Sequence, residues 1–321
     1  MKKNKTFHIQ FVKHRNIFFA IAAAAIVLFI ILTPFRAKLD VQFAGGTMVT
    51  YTYKGSTDAV DVKAIQSAVK NATGKEASIN LTSDMVTGSA NIVVTVSGNN
   101  SLSEEKVNAM NKAVKDLCKD SKDIKDLETG TMNNVDPTMG TTFFIKCLVA
   151  VAAAFLLIII YVAIRFRKIG GWSAGVMAIV ALLNDILVVY GSFLILGYTL
   201  DSNFIAVVLT ILGYSVNDTI VIYDRIRENE SIMGGKVSLS ELVNTSINQT
   251  FGRTINTTIT TVMAMLVVSI VAVVFNIHSI LRFSIPMTFG LISGSFTSNC
   301  IATNLWVCYK NARAKHQAKK A

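Results

Sequence analysis

Residues 204–223 read FIAVVLTILGYSVNDTIVIY, and this stretch decides the class of fold. About 20 predominantly apolar residues suffice to cross a hydrocarbon core about 30 Å thick, and here they carry one charge, Asp218. Working outward, comparable runs occupy 17–35, 143–164, 172–196, 255–275 and 283–309, the last longer than a bilayer requires. The chain is 52% hydrophobic and 16% charged with mean hydropathy +0.49, whereas a soluble domain carries about 25% charged residues. The pattern predicts a polytopic membrane protein of about six helices.

Lys and Arg set the expected orientation. The start MKKNKTFHIQFVKHR, RFRK at 165–168, DRIR at 224–227 and the tail KNARAKHQAKK are basic. Of the alternate loops, GYTLDSN at 197–203 has no basic residue and NIHSILR at 276–282 has only Arg282. Positive loops stay on the cytoplasmic side, so both termini are expected inside. The net charge of +11 therefore reads as a topology signal rather than a nucleic-acid footprint, because the cations flank apolar runs. The first run has no small-residue cleavage site before Arg36 and Lys38, so an uncleaved anchor is expected. Cys147, Cys300 and Cys308 lie in apolar segments and Cys118 outside them, a spacing that predicts neither a disulfide framework nor a zinc site.

Domain boundaries follow. Residues 1–36 form the N-terminus and first span, 37–140 an extracytoplasmic domain, 141–310 the remaining spans with a cytoplasmic loop at 224–252, and 311–321 a basic tail. Within the polar domain, MVTYTY at 48–53, SINLTS at 78–83 and ANIVVTV at 90–96 have strand character. Residues 58–72 place Val62, Ile65 and Val69 at helical spacing. Ser101 with Glu104 is a capping box opening a helix with Val107, Met110, Val114 and Leu117 on one face. A last short strand at 133–135 completes an α+β ferredoxin-like order. In the 224–252 loop, Ser238 and Glu241 form a second box before Leu239, Leu242, Val243 and Ile247, which reads either as an amphipathic helix on the membrane surface or as a plain connector.

Ionisable side chains at bilayer depth cost several kcal/mol and point to function. Asp185 lies near the middle of the third span beside Asn184, and Asp218 about 9 Å inside the cytoplasmic end of the fourth. Thr210, Tyr214 and Asp218 follow at i, i+4 and i+8 with Asn217 on the flank, a stripe expected to face protein or water. Arg253 opens the fifth span ahead of Asn256, Thr257, Thr260 and Thr261. Two readings of Arg253 stand: a charge partner for Asp218, able to move its protonation equilibrium, or a side chain snorkelling to the interface. Asp185 likewise reads as a relay group or as an interhelical hydrogen-bond acceptor. Gly290, Gly294, Thr297 and Ser298 read as a packing face. No nucleophile constellation, metal spacing or phosphate loop occurs in the polar regions, so neither an enzyme nor a cofactor is expected.

The string GYSVNDTIVIYDRIREN at 213–229 is very similar to the fourth-helix signature of the SecF branch of the SecD/SecF protein-export family, within the resistance-nodulation-division superfamily. FAGGT at 43–47, Asp185 in the third span, Arg253 with its Thr-rich run and the small-residue face of the last span match in order, so the resemblance covers the whole chain. It implies half of a two-part membrane transporter that pairs with SecD, associates with the SecYEG channel and uses an ion gradient to help move unfolded preproteins across the bacterial cell membrane. Carried over by position, Asp218 becomes the protonatable carboxylate, Arg253 its partner and Asp185 a further relay group, supported by Asn217, Tyr214, Thr210 and Thr257. A half-transporter for small-molecule efflux is the competing reading.

Overall fold

The computed structural model describes residues 9–40, 43, 45–54, 60–84, 89–97, 102–119, 124–135, 137–275 and 277–318. Helix α1 (Arg15–Arg36) leads into an αβ unit of β1 (Gly46–Lys54), α2 (Val62–Thr73), β2 (Ala77–Asp84), β3 (Ser89–Ser97), α3 (Glu104–Lys119) and β4 (Lys125–Val135). Then follow α4 (Pro137–Arg165), a 3-10 turn (Arg167–Ile169), α5 (Gly171–Leu196), α6 (Ser202–Met233), α7 (Leu239–Val274) and α8 (His278–Thr297). A π turn (Ser298–Ala302) leads into α9 (Thr303–Ala318).

In the αβ unit the sheet is antiparallel with order β2-β3-β1-β4. Alternation places Val49, Tyr51 and Tyr53 of β1 and Ile92, Val94 and Val96 of β3 on one face, which α2 and α3 cover. Asp61 caps α2 by accepting from the Lys63 and Ala64 amides at 2.9 and 3.1 Å, and Gly74 ends it in the left-handed region at φ 73°. The predicted cap at Ser101 lies outside the described residues. Leu117, expected on the buried face of α3, is exposed, and Cys118 takes its place because Val107, Met110, Val114 and Cys118 fall in line at i, i+3, i+7 and i+11. Burial raises the Cys118 thiol above its ordinary pKa.

Among the described residues, five helices are long and apolar enough to cross a membrane: α1, residues 140–165 of α4, α5, α6 and α7. The expected last span, 283–309, is not one α-helix, because the π turn divides it. Helices α5 and α6 are half buried along their most apolar windows, against 6% in α1, so they form the centre and α1 its periphery. The segment read as a surface helix or a connector is helical from the expected cap but is not a separate element. It is the first part of a 36-residue α7, opened by Ser238 accepting from the Glu241 amide at 3.2 Å. Its Leu242, Val243 and Ile247 join Ile222, Tyr223 and Ile226 of α6 in one buried cluster. Near the αβ unit, Leu200 donates to the Lys38 carbonyl at 2.8 Å and accepts from the Asp40 amide at 3.0 Å, fastening the linker after α1 to the α5–α6 loop.

Glycine makes the α4–α5 hairpin possible. A Cβ on Gly171 would lie 2.4 Å from the Ala163 carbonyl oxygen, whereas one on Gly175 would meet nothing closer than 3.4 Å. Gly171→Ala is therefore expected to destabilise the detergent-solubilised protein by about 1–3 kcal/mol through backbone overpacking, and Gly175→Ala to have little effect. Melting temperatures of the two variants check this, and equal values would refute the close-packed hairpin.

Candidate functional site

Asp185 is fully buried at the middle of α5, where the chain would lose several kcal/mol if the carboxylate lacked partners. Three hydroxyls from two other helices surround it. Ser215 of α6 donates to Oδ2 at 2.7 Å. Ser293 of α8 donates to Oδ1 at 2.6 Å, and Thr297, one turn on, lies 2.8 Å from Oδ1 and 2.9 Å from Oδ2. Ser293 and Thr297 stand at i and i+4, hence on one face of α8. The network continues outward: Thr219 donates to the Ser298 hydroxyl at 2.9 Å, and Ser298 donates to the Ser215 carbonyl at 3.1 Å. Ser298 is also the first residue of the π turn, an element that often marks functional positions.

The small-residue face of α8 does two things at once. It packs, since a Cβ on Gly290 would come within 2.7 Å of Ile211. It also leaves Ser215 its place beside Asp185, since a Cβ on Gly294 would stand 3.0 Å from Ser215 Cβ and 3.2 Å from its hydroxyl. Reading Thr297 and Ser298 as packing alone was incomplete. Sequence reasoning does not single out Ser293 and Ser215; their signal is a pair of hydroxyls at i and i+4 on one apolar helix and a hydroxyl one turn before Asp218 on another.

Asp218 is also buried, 3% exposed, but its surroundings differ. Its Oδ2 has no hydrogen-bond partner. Arg253 of α7 acts on it through charge without entering ion-pair distance, and Arg253 itself is exposed. The predicted stripe is graded rather than uniform: Thr210 and Asn217 are exposed, and Tyr214 is half buried with its hydroxyl 3.4 Å from Thr261 Oγ1. Thr210 and Thr257 return their hydroxyls to carbonyls of their own helices, Ala206 at 2.7 Å and Arg253 at 2.9 Å. Asn184 and Thr254, both buried, each keep one polar atom without a partner. Among the described residues no group of three or more His, Cys, Asp or Glu could hold a metal ion.

A profile of the family described as "Protein export membrane protein SecD/SecF, C-terminal" matches residues 113–312, the stretch that contains Asp185, Asp218 and Arg253. The protein translocase subunit SecF of Thermobaculum terrenum is 31% identical over 309 residues, 94% of each chain. The chain belongs to the SecD/SecF family. Within that family, the protein translocase subunit SecDF of Bacillus subtilis is 38% identical over 57% of this chain, and the crystal structure of SecDF from Thermus thermophilus superposes on 94% of it with a TM-score of 0.73 at 27% identity. Both relatives are longer. The aligned region spans 24% of the first and 39% of the second.

Each hydrogen bond to a charged group is worth about 1.5–3 kcal/mol, so Thr297→Val should destabilise the protein by about that amount. In an Asp185→Asn background the same change should cost at least about 1 kcal/mol less, since contacting residues couple. Thermal melting of the four proteins in the cycle reads this out, and additive losses would show that Thr297 does not act through Asp185.

Proposed function

We propose that this chain is an accessory subunit of the Sec protein-export machinery, pairing with SecD beside SecYEG and using a transmembrane ion gradient to promote late movement of an unfolded preprotein. The observation that carries the reading is Asp218, a buried carboxylate with one open oxygen, lying within the electrostatic reach of an exposed arginine. An arginine stays charged while a carboxylate can change its state, so binding and release of an ion at Asp218 alters its attraction to α7. Asp185 has both oxygens engaged and serves as the fixed point against which that movement occurs.

Family membership and the polar seam support pairing with a second half. Asn217 on α6 and Arg253 and Asn256 on α7 are exposed beside Thr210, Gly213 and Thr260, and lipid does not solvate their amide and guanidinium groups. In this reading the α8–π–α9 segment acts as the sixth crossing, the αβ unit is a ferredoxin-like domain outside the membrane, and both termini are cytoplasmic. The strand order and the Lys/Arg distribution support these assignments.

In vesicles that export a secreted reporter, Asp218→Asn is expected to insert and co-purify with SecD while losing gradient-stimulated export. Asp218→Glu should retain part of it. Arg253→Lys should be impaired despite its charge, because an ammonium lacks the planar donor fork. A wild-type response to the gradient from Asp218→Asn would overturn the relay. Orientation has its own test. Cys118 is too buried to report it, so Lys112→Cys on the exposed side of α3 should react with a membrane-impermeant maleimide in intact cells, and Ala314→Cys on α9 only after lysis. The reverse pattern would invert the topology.

A further inference from the structure

Two basic segments distant in sequence meet at one end of the helices. The 3-10 turn after α4 carries exposed Arg167 and Lys168, and α9 carries Lys310, Arg313 and Lys315. Packing of Trp306 brings them together. Its indole N–H donates to Ser173 Oγ at 3.2 Å in the first turn of α5, and Lys310 Nζ lies 5.5 Å from its ring centroid. Lys310 reaches over the turn so closely that a Cβ on Gly170 would stand 2.9 Å from its Nζ.

These cations lack counter-charges. Asp224 is shared by Arg165 at 3.3 Å and Arg227 at 2.6 Å, and among the described residues none of Arg167, Lys168, Lys310, Arg313 or Lys315 forms an ion pair. Directly beside them Trp172 is 69% exposed at the start of α5. Val176 and Val180 continue its face at i+4 and i+8, also exposed. A cationic corner with an aromatic at the polar boundary and an apolar track running into the span has the layout of an amphiphile. A nucleic acid would use the cations and leave the track empty.

We propose that this corner binds an anionic phospholipid, with its phosphate held by Arg167, Lys168 and Lys310 and an acyl chain lying along Trp172, Val176 and Val180. The full chain in nanodiscs of mixed phosphatidylglycerol and phosphatidylcholine, released for native mass spectrometry, should retain phosphatidylglycerol preferentially. A triple Arg167→Gln, Lys168→Gln, Lys310→Gln variant should lose affinity about a hundredfold, at about fivefold per cation. Trp172→Ala should weaken retention too, and Lys13→Gln with Arg36→Gln should not. Equal retention of the two lipids by the wild type would overturn the proposal without reference to any variant, so a triple variant that fails to insert leaves the test intact. Stabilisation by inorganic phosphate as strong as by phosphatidylglycerol would reassign the corner to a free anion. Binding of a labelled oligonucleotide that phosphatidylglycerol vesicles fail to displace would reassign it to nucleic acid. Either result overturns the lipid site.

Discussion

A carboxylate among apolar helices must be held by something, and the way Asp185 is held organises the centre of the molecule. Its partners are hydroxyls rather than cations, and they come from α6 and α8, so satisfying one side chain ties three helices together at one depth. The requirement propagates outward. A Cβ at Gly294 would crowd Ser215, at 3.0 Å from its Cβ, where it bonds Asp185, and one at Gly290 would press on Ile211 across the α6–α8 contact at 2.7 Å. Polar satisfaction and close packing are here the same constraint met by the same residues.

Beside this saturated carboxylate stands an unsaturated one. Asp185 and Asp218 are both buried carboxylates in apolar helices, and Ser215 sits one turn before Asp218 while bonding Asp185. One acid spends its acceptor capacity on neutral donors; the other keeps an oxygen open and feels Arg253. A protein that needs a rigid frame and a responsive group in the same layer gains from this asymmetry, because a change of charge at the second need not dismantle the first.

Much of this was legible in the sequence. Apolar run length located the five helices long and apolar enough to cross a membrane, though not a sixth unbroken one, and the alternation of Val49, Tyr51 and Tyr53 marked the sheet face, because both depend on local periodicity. Asp185, Asp218 and Arg253 stood out as charges in apolar surroundings. The hydroxyl partners did not. Serine and threonine are common in membrane helices, and their roles depend on which helix lies opposite, a tertiary fact. Boundaries failed for a related reason: α7 runs unbroken through what reads as a loop and a span, since burial of Leu242 and Ile247 against α6 carries the helix past the point where hydropathy changes. Cys118 displaced Leu117 because only packing settles which of two adjacent apolar residues faces inward.

The π turn at Ser298–Ala302 has a consequence for helix phase. An α-helix advances about 100° per residue, and a π turn accommodates an extra residue without breaking the rod. Residues before the turn and after it are therefore indexed differently around the axis. Thr297 can point at Asp185 while Trp306 points at Ser173, two targets on the same neighbouring helix about three turns apart. Winding the same residues as regular α-helix would rotate everything beyond the turn by about 100°, so the angular offset between the polar centre and the basic end of the molecule is set by this one departure from regular winding.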